Sequence, residues 1–218
     1  MAQIVFDLDG TLIDSAPDLQ AVANKVLADE GKHPVSLAQV SAFLGCGTPT
    51  FVQRMCEASG ISQSEHKRLL ANFRALYDGA VHHTKPYPGV RDALHQLASD
   101  GHQLGICTNK PMSPCLSVLR HLQLDPHFDS ILGGDSLPVH KPDPAPLFAT
   151  FDALGNGDRI YVGDSEVDAE TARRAGVPFL LYTEGYRKQA IEEMPHTATF
   201  THFDELPGLI TQTLASIH

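Results

Sequence analysis

The hydrophobic positions after residue 90 change their period repeatedly along the chain. Stretches with apolar residues three and four apart, typical of amphipathic helices, alternate with short continuous apolar runs, typical of buried strands. The pattern predicts helices over residues 90–99, 114–121, 146–154 and 167–175, and strands over residues 103–107, 130–132, 159–162 and 179–182. This alternation is typical of a doubly wound parallel sheet with helices on both faces.

The N-terminal part of the chain divides into one strand and a long helical segment. Residues 3–6 form a short apolar run that predicts a first buried strand, whereas residues 15–83 show helical periods and no convincing strand. Proline-containing segments flank the helical part at residues 15–18 and 84–89. We therefore predict the α/β class: a Rossmann-like core of residues 1–14 and 85–218, with an inserted all-helical domain at residues 15–84.

Two short patterns predict where helices of the insert begin. Ser36 is placed to cap a helix that carries Val40 and Phe43. Ser62 and Glu65 have the spacing of a capping box ahead of a further apolar helical stretch. Arg54 falls on a helix of the insert, where we expect an ordinary solvated surface side chain.

Composition and charge narrow the functional classes. The chain has 218 residues, 42% of them hydrophobic, and its net charge of -10 argues against a nucleic-acid partner. No apolar run approaches the length of a membrane span, and the N-terminus lacks the features of a signal peptide. Four cysteines at irregular spacings predict free thiols rather than a zinc site or disulfides. We expect a cytoplasmic protein, monomeric or homodimeric.

The first strand ends in two acidic residues. Asp7 and Asp9 are two positions apart, so in an extended chain their carboxylates leave on the same side, and Gly10 then lets the backbone turn. Two close carboxylates are tolerated when a cation lies between them or one is protonated. Mg²⁺ prefers such oxygen ligands, and a carboxylate can act as a covalent nucleophile. A simple turn or helix cap is the structural alternative.

The other predicted strands also end in groups that suit a phosphate site. Thr108, Asn109 and Lys110 follow the strand at 103–107, Lys141 lies in the loop after residue 132, and Asp164 and Asp168 follow the strand at 159–162. Each could be an ordinary helix cap or surface residue. Because ligands bind outside the carboxyl ends of parallel strands, the joint pattern favours one site for phosphoryl chemistry.

These segments resemble the four ordered motifs of the haloacid dehalogenase-like hydrolase superfamily. The resembling residues are Asp7 to Leu12, Thr108 with Asn109, Lys141 with Pro142, and Gly163 with Asp164 and Asp168. The helical insert is similar to the type 1 cap domain of that superfamily. The phosphoglycolate phosphatase-like subfamily is the most similar, through residues 43–47, 87–90 and 108–110.

The resemblance implies a role for each matched residue. Asp7 would attack phosphorus, and Asp9 would act as general acid and base with its backbone carbonyl on Mg²⁺. Thr108 and Lys141 would hold the transferring phosphoryl oxygens. Asp7, Asp9 and Asp164 would be the metal ligands, and Asp168 would orient Lys141 or a water on the metal.

Substrate selection is expected from the cap and the edges of the site. Thr11, Asn109 and the cap loop Gly45, Cys46 and Gly47 are the expected substrate contacts. The implied reaction is Mg²⁺-dependent hydrolysis of a small phosphorylated metabolite through an aspartyl-phosphate, with 2-phosphoglycolate first.

Four alternatives stay open at this point. The first is the same chemistry on pyrophosphate or a sugar phosphate, by a phosphatase or a phosphomutase, and the second is a non-catalytic phosphate-binding protein. A dehalogenase is disfavoured by Asp9 and Asp164, which it does not need. A phosphonatase would need a Schiff-base lysine in the cap, where Lys25, Lys32 and Lys67 lie.

Overall fold

The core is built on a sheet of six parallel strands. A computed structural model describes residues 1–217. The strands of this sheet are β1 (Ala2–Phe6), β4 (Gln103–Cys107), β5 (Ser130–Leu132), β6 (Asp158–Gly163), β7 (Phe179–Tyr182) and β8 (Ala198–Phe200). Their order across the sheet is β5-β4-β1-β6-β7-β8, so β1 occupies a central position between β4 and β6. All five residues of β1 are buried, as expected for a strand covered on both faces.

Helices cover both faces of this sheet, in line with the alternation of side chains along β1. The helices of the core are α5 (Val90–Ser99), α6 (Met112–His121), α7 (Ala145–Leu154), α8 (Glu166–Ala175) and α9 (Leu206–Ile217). Ile4 and Phe6 of β1 pack in one hydrophobic cluster with α5, α6 and α9, whereas Val5 packs in another with α7 and α8. The predicted doubly wound α/β class is confirmed.

The inserted segment folds into four helices with a hydrophobic core of their own. These helices are α1 (Ala16–Asp29), α2 (Leu37–Phe43), α3 (Gly47–Ala58) and α4 (His66–Tyr77). Seventeen buried side chains, all from residues 16–77, form one cluster, which partly buried Tyr186 of the core contacts. Phe51 and Phe73 of this cluster pack with ring centroids 5.2 Å apart. The segment is therefore a separately packed cap.

A short antiparallel ribbon joins cap and core. Strands β2 (Ile13–Asp14) and β3 (Lys85–Pro86) pair where the chain leaves the core and where it returns. The buried carboxylate of Asp18, in the first turn of α1, accepts hydrogen bonds from the backbone N–H groups of His83 and Thr84 and from the Thr84 hydroxyl, at 2.6 to 3.1 Å. The domain boundaries predicted at residues 15 and 84 stay a prediction, and they fall beside this ribbon.

Most predicted elements are present with ends shifted by one or two residues. The Ser36 cap forms as a capping box with Gln39. The box predicted at Ser62 was wrong, because a 3-10 turn over Gln63–Glu65 precedes α4 and the Ser62 hydroxyl accepts from the Ser64 N–H instead. The ribbon, β8 and α9 were not predicted. None of the helices described for residues 1–217 is long and apolar enough to cross a membrane.

Candidate active site

The predicted site residues converge at the carboxyl edge of the sheet. Asp7 follows β1, Thr108 follows β4 and Asp164 follows β6, and these three strands are neighbours. The loop after β5 adds Lys141. Parallel strands present their carboxyl ends at one edge, so residues up to 157 positions apart in sequence meet there.

Lys141 is the central cation of the site. Its buried ammonium lies 2.8 Å from Asp7 Oδ1, 2.7 Å from Asp168 Oδ1 and 2.8 Å from the Tyr161 hydroxyl. An ammonium carries three hydrogens, so these three neighbours can use all of them. Lys141 is thereby fixed against the predicted nucleophile, as expected for a group that holds charge on the reacting phosphoryl.

Asn109 holds the backbone of Lys141. Its side-chain oxygen accepts from the Lys141 N–H at 3.0 Å, and its amide nitrogen donates to the Lys141 carbonyl and to the Gly45 carbonyl, each at 3.0 Å. The prediction that this side chain binds substrate is therefore not supported, because protein groups already engage its oxygen and both of its N–H donors. Asn109 instead links the lysine loop to the cap.

Burial and neighbouring charge change the acidity of Asp7. Loss of solvent raises its pKa from 3.8 to about 6, against the opposing effect of Lys141 and with further repulsion from Asp168. A carboxylate in this state is stabilised in its ionised, nucleophilic form when more positive charge is present nearby.

Asp164 is held from two sides on the far side of Asp7. Its Oδ1 accepts from the Thr11 hydroxyl at 2.7 Å and its Oδ2 from the Tyr186 N–H at 2.6 Å. Burial, together with repulsion by Asp168 and Asp7, raises its pKa well above 3.8. Gly10 makes this approach possible: its φ is +93°, and a Cβ there would lie 2.4 Å from Asp164 Oδ2.

Thr11 does not contact the cavity. It is fully buried, and its hydroxyl is directed at Asp164. The prediction that Thr11 binds substrate is therefore not supported, because the turn after Gly10 points its side chain away from the opening. Its hydrogen bond orients the predicted metal ligand.

The carboxylates at this edge fit a divalent cation. Oxygens of Asp7, Asp164 and Asp168 lie within 4.8 Å of one another, and all three residues are buried. Both oxygens of Asp168 already accept hydrogen bonds, Oδ1 from Lys141 and Tyr161 and Oδ2 from Ser165. Asp7 and Asp164 are thus the better metal ligands. Lys141 alone does not neutralise the three carboxylates, so the group keeps an excess of negative charge. Hard oxygen donors with excess negative charge suit Mg²⁺.

Asp9 has a separate partner. Its carboxylate lies 3.1 Å from Nζ of Lys110, which also donates to the Tyr77 hydroxyl of α4 at 2.7 Å. The Asp9 carboxylate is absent from the acidic group around Asp7, so a role in metal binding is left to its backbone carbonyl, as the motif implied. The same lysine donates its backbone N–H to Thr108 Oγ1 at 3.2 Å, and among residues 1–217 the Thr108 hydroxyl hydrogen has no acceptor, so it can bind a ligand.

These residues surround a cavity between cap and core, with a volume of about 470 Å³, part of it open to solvent. Core groups on its wall include Asp7, Asp9, Thr108, Lys110 and Lys141. The cap side is mostly apolar and is formed by Leu19, Leu44, Gly45, Gly47, Thr48, Phe51, Phe73 and Tyr77. The space suits a small ligand with a charged end facing the core.

The cap loop only partly matches its predicted role. Gly45 and Gly47 line the cavity, whereas Cys46 lines a neighbouring cavity on the other side of the loop. The prediction that Cys46 contacts substrate is therefore not supported. Arg54 was also predicted wrongly: it is partly buried, and its guanidinium donates to the carbonyls of Ala42 and Phe43, so it fixes the loop rather than facing solvent.

Three further residues of the site escaped the sequence analysis: Tyr77, Tyr161 and Tyr186. Lys110 was noted with Thr108 and Asn109 after the strand at 103–107, but no separate role was predicted for it. No local pattern marks the tyrosines, since α4, β6 and the loop after β7 carry them to the site through tertiary packing.

Comparison with known proteins agrees with this geometry. The family model of haloacid dehalogenase-like hydrolases matches residues 4–182. A phosphoglycolate phosphatase of Cereibacter sphaeroides is 47% identical over 218 residues, covering 99% of this chain and 100% of the relative. A phosphoglycolate phosphatase of Rhodobacter capsulatus is 41% identical over 209 residues, covering 95% of each chain.

A solved structure shares the whole architecture. The crystal structure of a predicted phosphoglycolate phosphatase from Haemophilus somnus superposes with a TM-score of 0.89 at 30% identity, over 96% of this chain and 98% of that chain. The resemblance noted in the motifs and the predicted enzyme class are confirmed. The chain belongs to the haloacid dehalogenase-like hydrolase family.

Proposed function

We propose that this protein is a Mg²⁺-dependent phosphatase that hydrolyses 2-phosphoglycolate through an aspartyl-phosphate on Asp7. The observation that carries the proposal is the pairing of Asp7 with the fully engaged ammonium of Lys141 on the wall of a small cavity. The substrate is suggested by the full-length relatives that are named phosphoglycolate phosphatases.

The first step transfers the phosphoryl group to the protein. A carboxylate oxygen of Asp7 forms a bond to phosphorus while the bond from phosphorus to the ester oxygen breaks. Asp9 gives its proton to the leaving oxygen, so glycolate departs as an alcohol. Such proton transfer is typically worth about 10²- to 10⁴-fold in rate. The Thr108 hydroxyl donates to a phosphoryl oxygen, and the positive charge of Lys141, held by Asp7, Asp168 and Tyr161, offsets the negative charge spread over the phosphoryl oxygens.

The second step returns Asp7 to its starting form. Asp9, now ionised, takes a proton from a water that attacks phosphorus, and the bond between Asp7 and phosphorus breaks to release phosphate. Mg²⁺ held by Asp7, Asp164 and the Asp9 carbonyl would neutralise charge on the phosphoryl oxygens. Asp168 keeps Lys141 in place through its 2.7 Å contact.

The apolar cap wall argues against the sugar-phosphate alternative. Leu44, Phe51 and Phe73 line the side of the cavity opposite the core. A sugar placed there would lose water from its hydroxyl groups without gaining partners, which is unfavourable. The alcohol part of 2-phosphoglycolate has no hydroxyl group beyond the ester oxygen, and its one remaining polar group is a carboxylate that needs a single cationic partner.

A substrate panel tests the proposal. Phosphate release is measured with Mg²⁺ from 2-phosphoglycolate, pyrophosphate, several sugar phosphates and an aryl phosphate, with EDTA as a control. We expect the highest kcat/KM for 2-phosphoglycolate and loss of activity in EDTA. Preference for another ester would keep the chemistry and reject the substrate. No Mg²⁺-dependent release from any compound would reject the function.

A further inference from the structure

The two lysines of the active cavity differ in their hydrogen-bond partners. Lys141 is bonded to three residues, Asp7, Tyr161 and Asp168. Within residues 1–217, Nζ of Lys110 bonds to two, the Tyr77 hydroxyl at 2.7 Å and both oxygens of Asp9, at 3.1 and 3.4 Å. The N–H group that makes the long 3.4 Å contact can turn to a ligand and leave Asp9 with its shorter bond, and the Lys110 side chain is only 3% exposed. A buried ammonium on a cavity wall with one long, replaceable contact indicates a place for an anionic ligand group.

Tyr77 adds a second donor at the same point. Its hydroxyl accepts from Lys110 at 2.7 Å, and its own hydrogen has no acceptor in the part of the chain that the structure describes. Burial raises the pKa of this phenol above its ordinary value of 10, so the hydrogen is retained. Lys110 and Tyr77 both line the cavity, one from the core and one from the cap.

These donors lie on the leaving-group side of the site. Lys110 Nζ is 3.1 Å from Asp9 Oδ1, and in the proposed function Asp9 meets the ester oxygen. In the proposed function the phosphoryl group is bound by Thr108 and faces the charge of Lys141. Lys110 can therefore interact with the alcohol part of the substrate. Among the described residues, these two lysines are the only cationic side chains on the cavity wall.

The carboxylate of 2-phosphoglycolate, the second anionic group of this substrate, needs a cationic partner in the cavity. Three carboxylates, those of Asp7, Asp9 and Asp168, already line the cavity, and the cap wall beyond them is mostly apolar. A carboxylate entering such a space without a partner would be strongly disfavoured. In 2-phosphoglycolate one methylene separates the ester oxygen from the carboxylate, so that group would lie beside Asp9, where Lys110 is within reach.

Building on the proposed function, we infer that Lys110 and Tyr77 bind the substrate carboxylate and thereby determine specificity. They select phosphomonoesters whose alcohol carries a carboxylate one carbon from the ester oxygen. Since Tyr77 lies on α4 of the cap and Lys110 in the core, the bound carboxylate also holds the two parts together over the substrate.

The test compares 2-phosphoglycolate with its uncharged amide, which keeps the size and the phosphoester. The measured quantity is the ratio of kcat/KM for the acid to kcat/KM for the amide. Charged hydrogen bonds of this kind correspond to a wild-type ratio of roughly 10 to 100. We expect Lys110→Met to bring the ratio to within about 3-fold of unity and Tyr77→Phe to lower it by about 10-fold or less. Any damage to Asp9 affects both substrates and cancels in the ratio.

Lys188 provides a matched control. It lines a smaller adjoining cavity beside Asp9 and donates to the Leu44 carbonyl at 2.8 Å. Lys188→Met should keep the wild-type ratio, whereas collapse of the ratio in this variant would move the carboxylate site and overturn the inference.

The remaining outcomes separate this inference from the proposed function. A wild-type enzyme that cleaves acid and amide equally, or a Lys110→Met enzyme that keeps the full ratio, would overturn the inference and leave the phosphatase function intact. A wild-type enzyme that cleaves neither compound would overturn both. If Lys110→Met does not fold, Tyr77→Phe decides: a ratio below that of the wild type supports the inference, and a ratio equal to that of the wild type rejects it.

Discussion

The acidic side chains at the sheet edge differ in their sets of hydrogen-bond partners, and those partners decide what each carboxylate can do. Asp7 faces Lys141, Asp9 faces Lys110, and Asp164 is held by Thr11 and the Tyr186 N–H. Asp168 is engaged on both oxygens and holds Lys141. In the proposed function these four carboxylates act as the nucleophile (Asp7), the acid (Asp9), a metal ligand (Asp164) and a positioning group (Asp168).

The Thr11 hydroxyl is expected to set metal affinity. Thr11→Val removes the 2.7 Å hydrogen bond to Asp164 while keeping the side-chain volume. Because partners behind metal ligands are typically worth about 10- to 100-fold in affinity, the Mg²⁺ concentration for half-maximal activity should rise by that factor. Activity at saturating Mg²⁺ should stay within about 5-fold of wild type.

Thr150→Val is the matched control for that experiment. Thr150 is also fully buried, but its hydroxyl donates to the Pro146 carbonyl on α7. Its Mg²⁺ dependence should equal that of the wild type. Equal Mg²⁺ dependence in Thr11→Val and wild type would show that Thr11 does not position a metal ligand.

The raised pKa of Asp7 predicts a pH-dependent stabilisation by Mg²⁺. The folded pKa of about 6 exceeds the ordinary 3.8, so the metal-free folded state holds this proton more tightly than the unfolded state does. Stability without metal should therefore fall as pH rises from about 4 to about 6. A cation favours the ionised carboxylate, so the Mg²⁺-induced rise in Tm should be larger at about pH 7.5 than at about pH 5.

Thermal melts in EDTA and in Mg²⁺ at several pH values check this expectation. Asp7→Asn in EDTA should lose much of the decline in Tm between about pH 4 and about pH 6. A Mg²⁺ increment in Tm that is equal at both ends of the range would contradict a buried carboxylate site for the cation.

Sequence reasoning placed the main groups of the site but not the direction of every side chain. One site could be predicted for Asp7, Thr108, Lys141 and Asp164, because the carboxyl ends of parallel strands lie at one edge of the sheet. Thr11 and Asn109 could not be assigned correctly, since the turn after Gly10 and the path of the Lys141 loop decide where they point. Those paths depend on contacts across the fold, which a local pattern does not contain.

The hinge elements fix the cap to the core. Asp18 in the first turn of α1 accepts from His83 and Thr84, and the Tyr186 hydroxyl accepts from the backbone N–H groups of Ser15 and Ala16 and donates to Asp14. Both crossing segments are therefore held by side chains. The position of the cap relative to the catalytic edge rests on these bonds together with the Lys110 contact to Tyr77.

Asp18→Asn is expected to weaken this hinge. An amide would direct N–H groups toward the donors of His83 and Thr84, so buried donors would lose their acceptor. We expect a loss of about 2 to 4 kcal/mol in the free energy of unfolding, measured by urea denaturation, and faster protease cleavage near residue 83.

Asp92→Asn serves as the comparison variant. Asp92 is also an acid in the first turn of a helix, α5, but its side chain is exposed. The change in stability there should be within about 0.5 kcal/mol. Similar small losses in both variants would mean that the Asp18 hydrogen bonds do not hold the hinge.

The elements missed from the sequence are very short strands and a helix whose start carries a proline and a glycine. The ribbon of β2 and β3 has two residues on each side, too few for a period to appear. Strand β8 has three residues and pairs only with β7, and α9 follows it with a proline and a glycine near its start. These elements form because the edge of the sheet and the cluster around Ile210 stabilise them.

At the scale of the whole molecule, core and cap contribute different groups to the site. The core sheet collects the charged groups that act on phosphate, and the cap supplies a mostly apolar wall and Tyr77. The cap packs on its own hydrophobic cluster, so its inner surface can differ without disturbing the catalytic edge. In the proposed function the core groups act on the phosphate, and substrate choice rests on the cap together with Lys110 of the core.

The proposed mechanism depends most directly on Asp7 as the nucleophile. The decisive measurement is kcat for Mg²⁺-dependent phosphate release from 2-phosphoglycolate by Asp7→Asn and by wild type, with folding checked by circular dichroism. We predict a loss of at least about 10⁴-fold, because the amide cannot form the aspartyl-phosphate. Activity of the variant within about 10-fold of wild type would contradict covalent catalysis by Asp7.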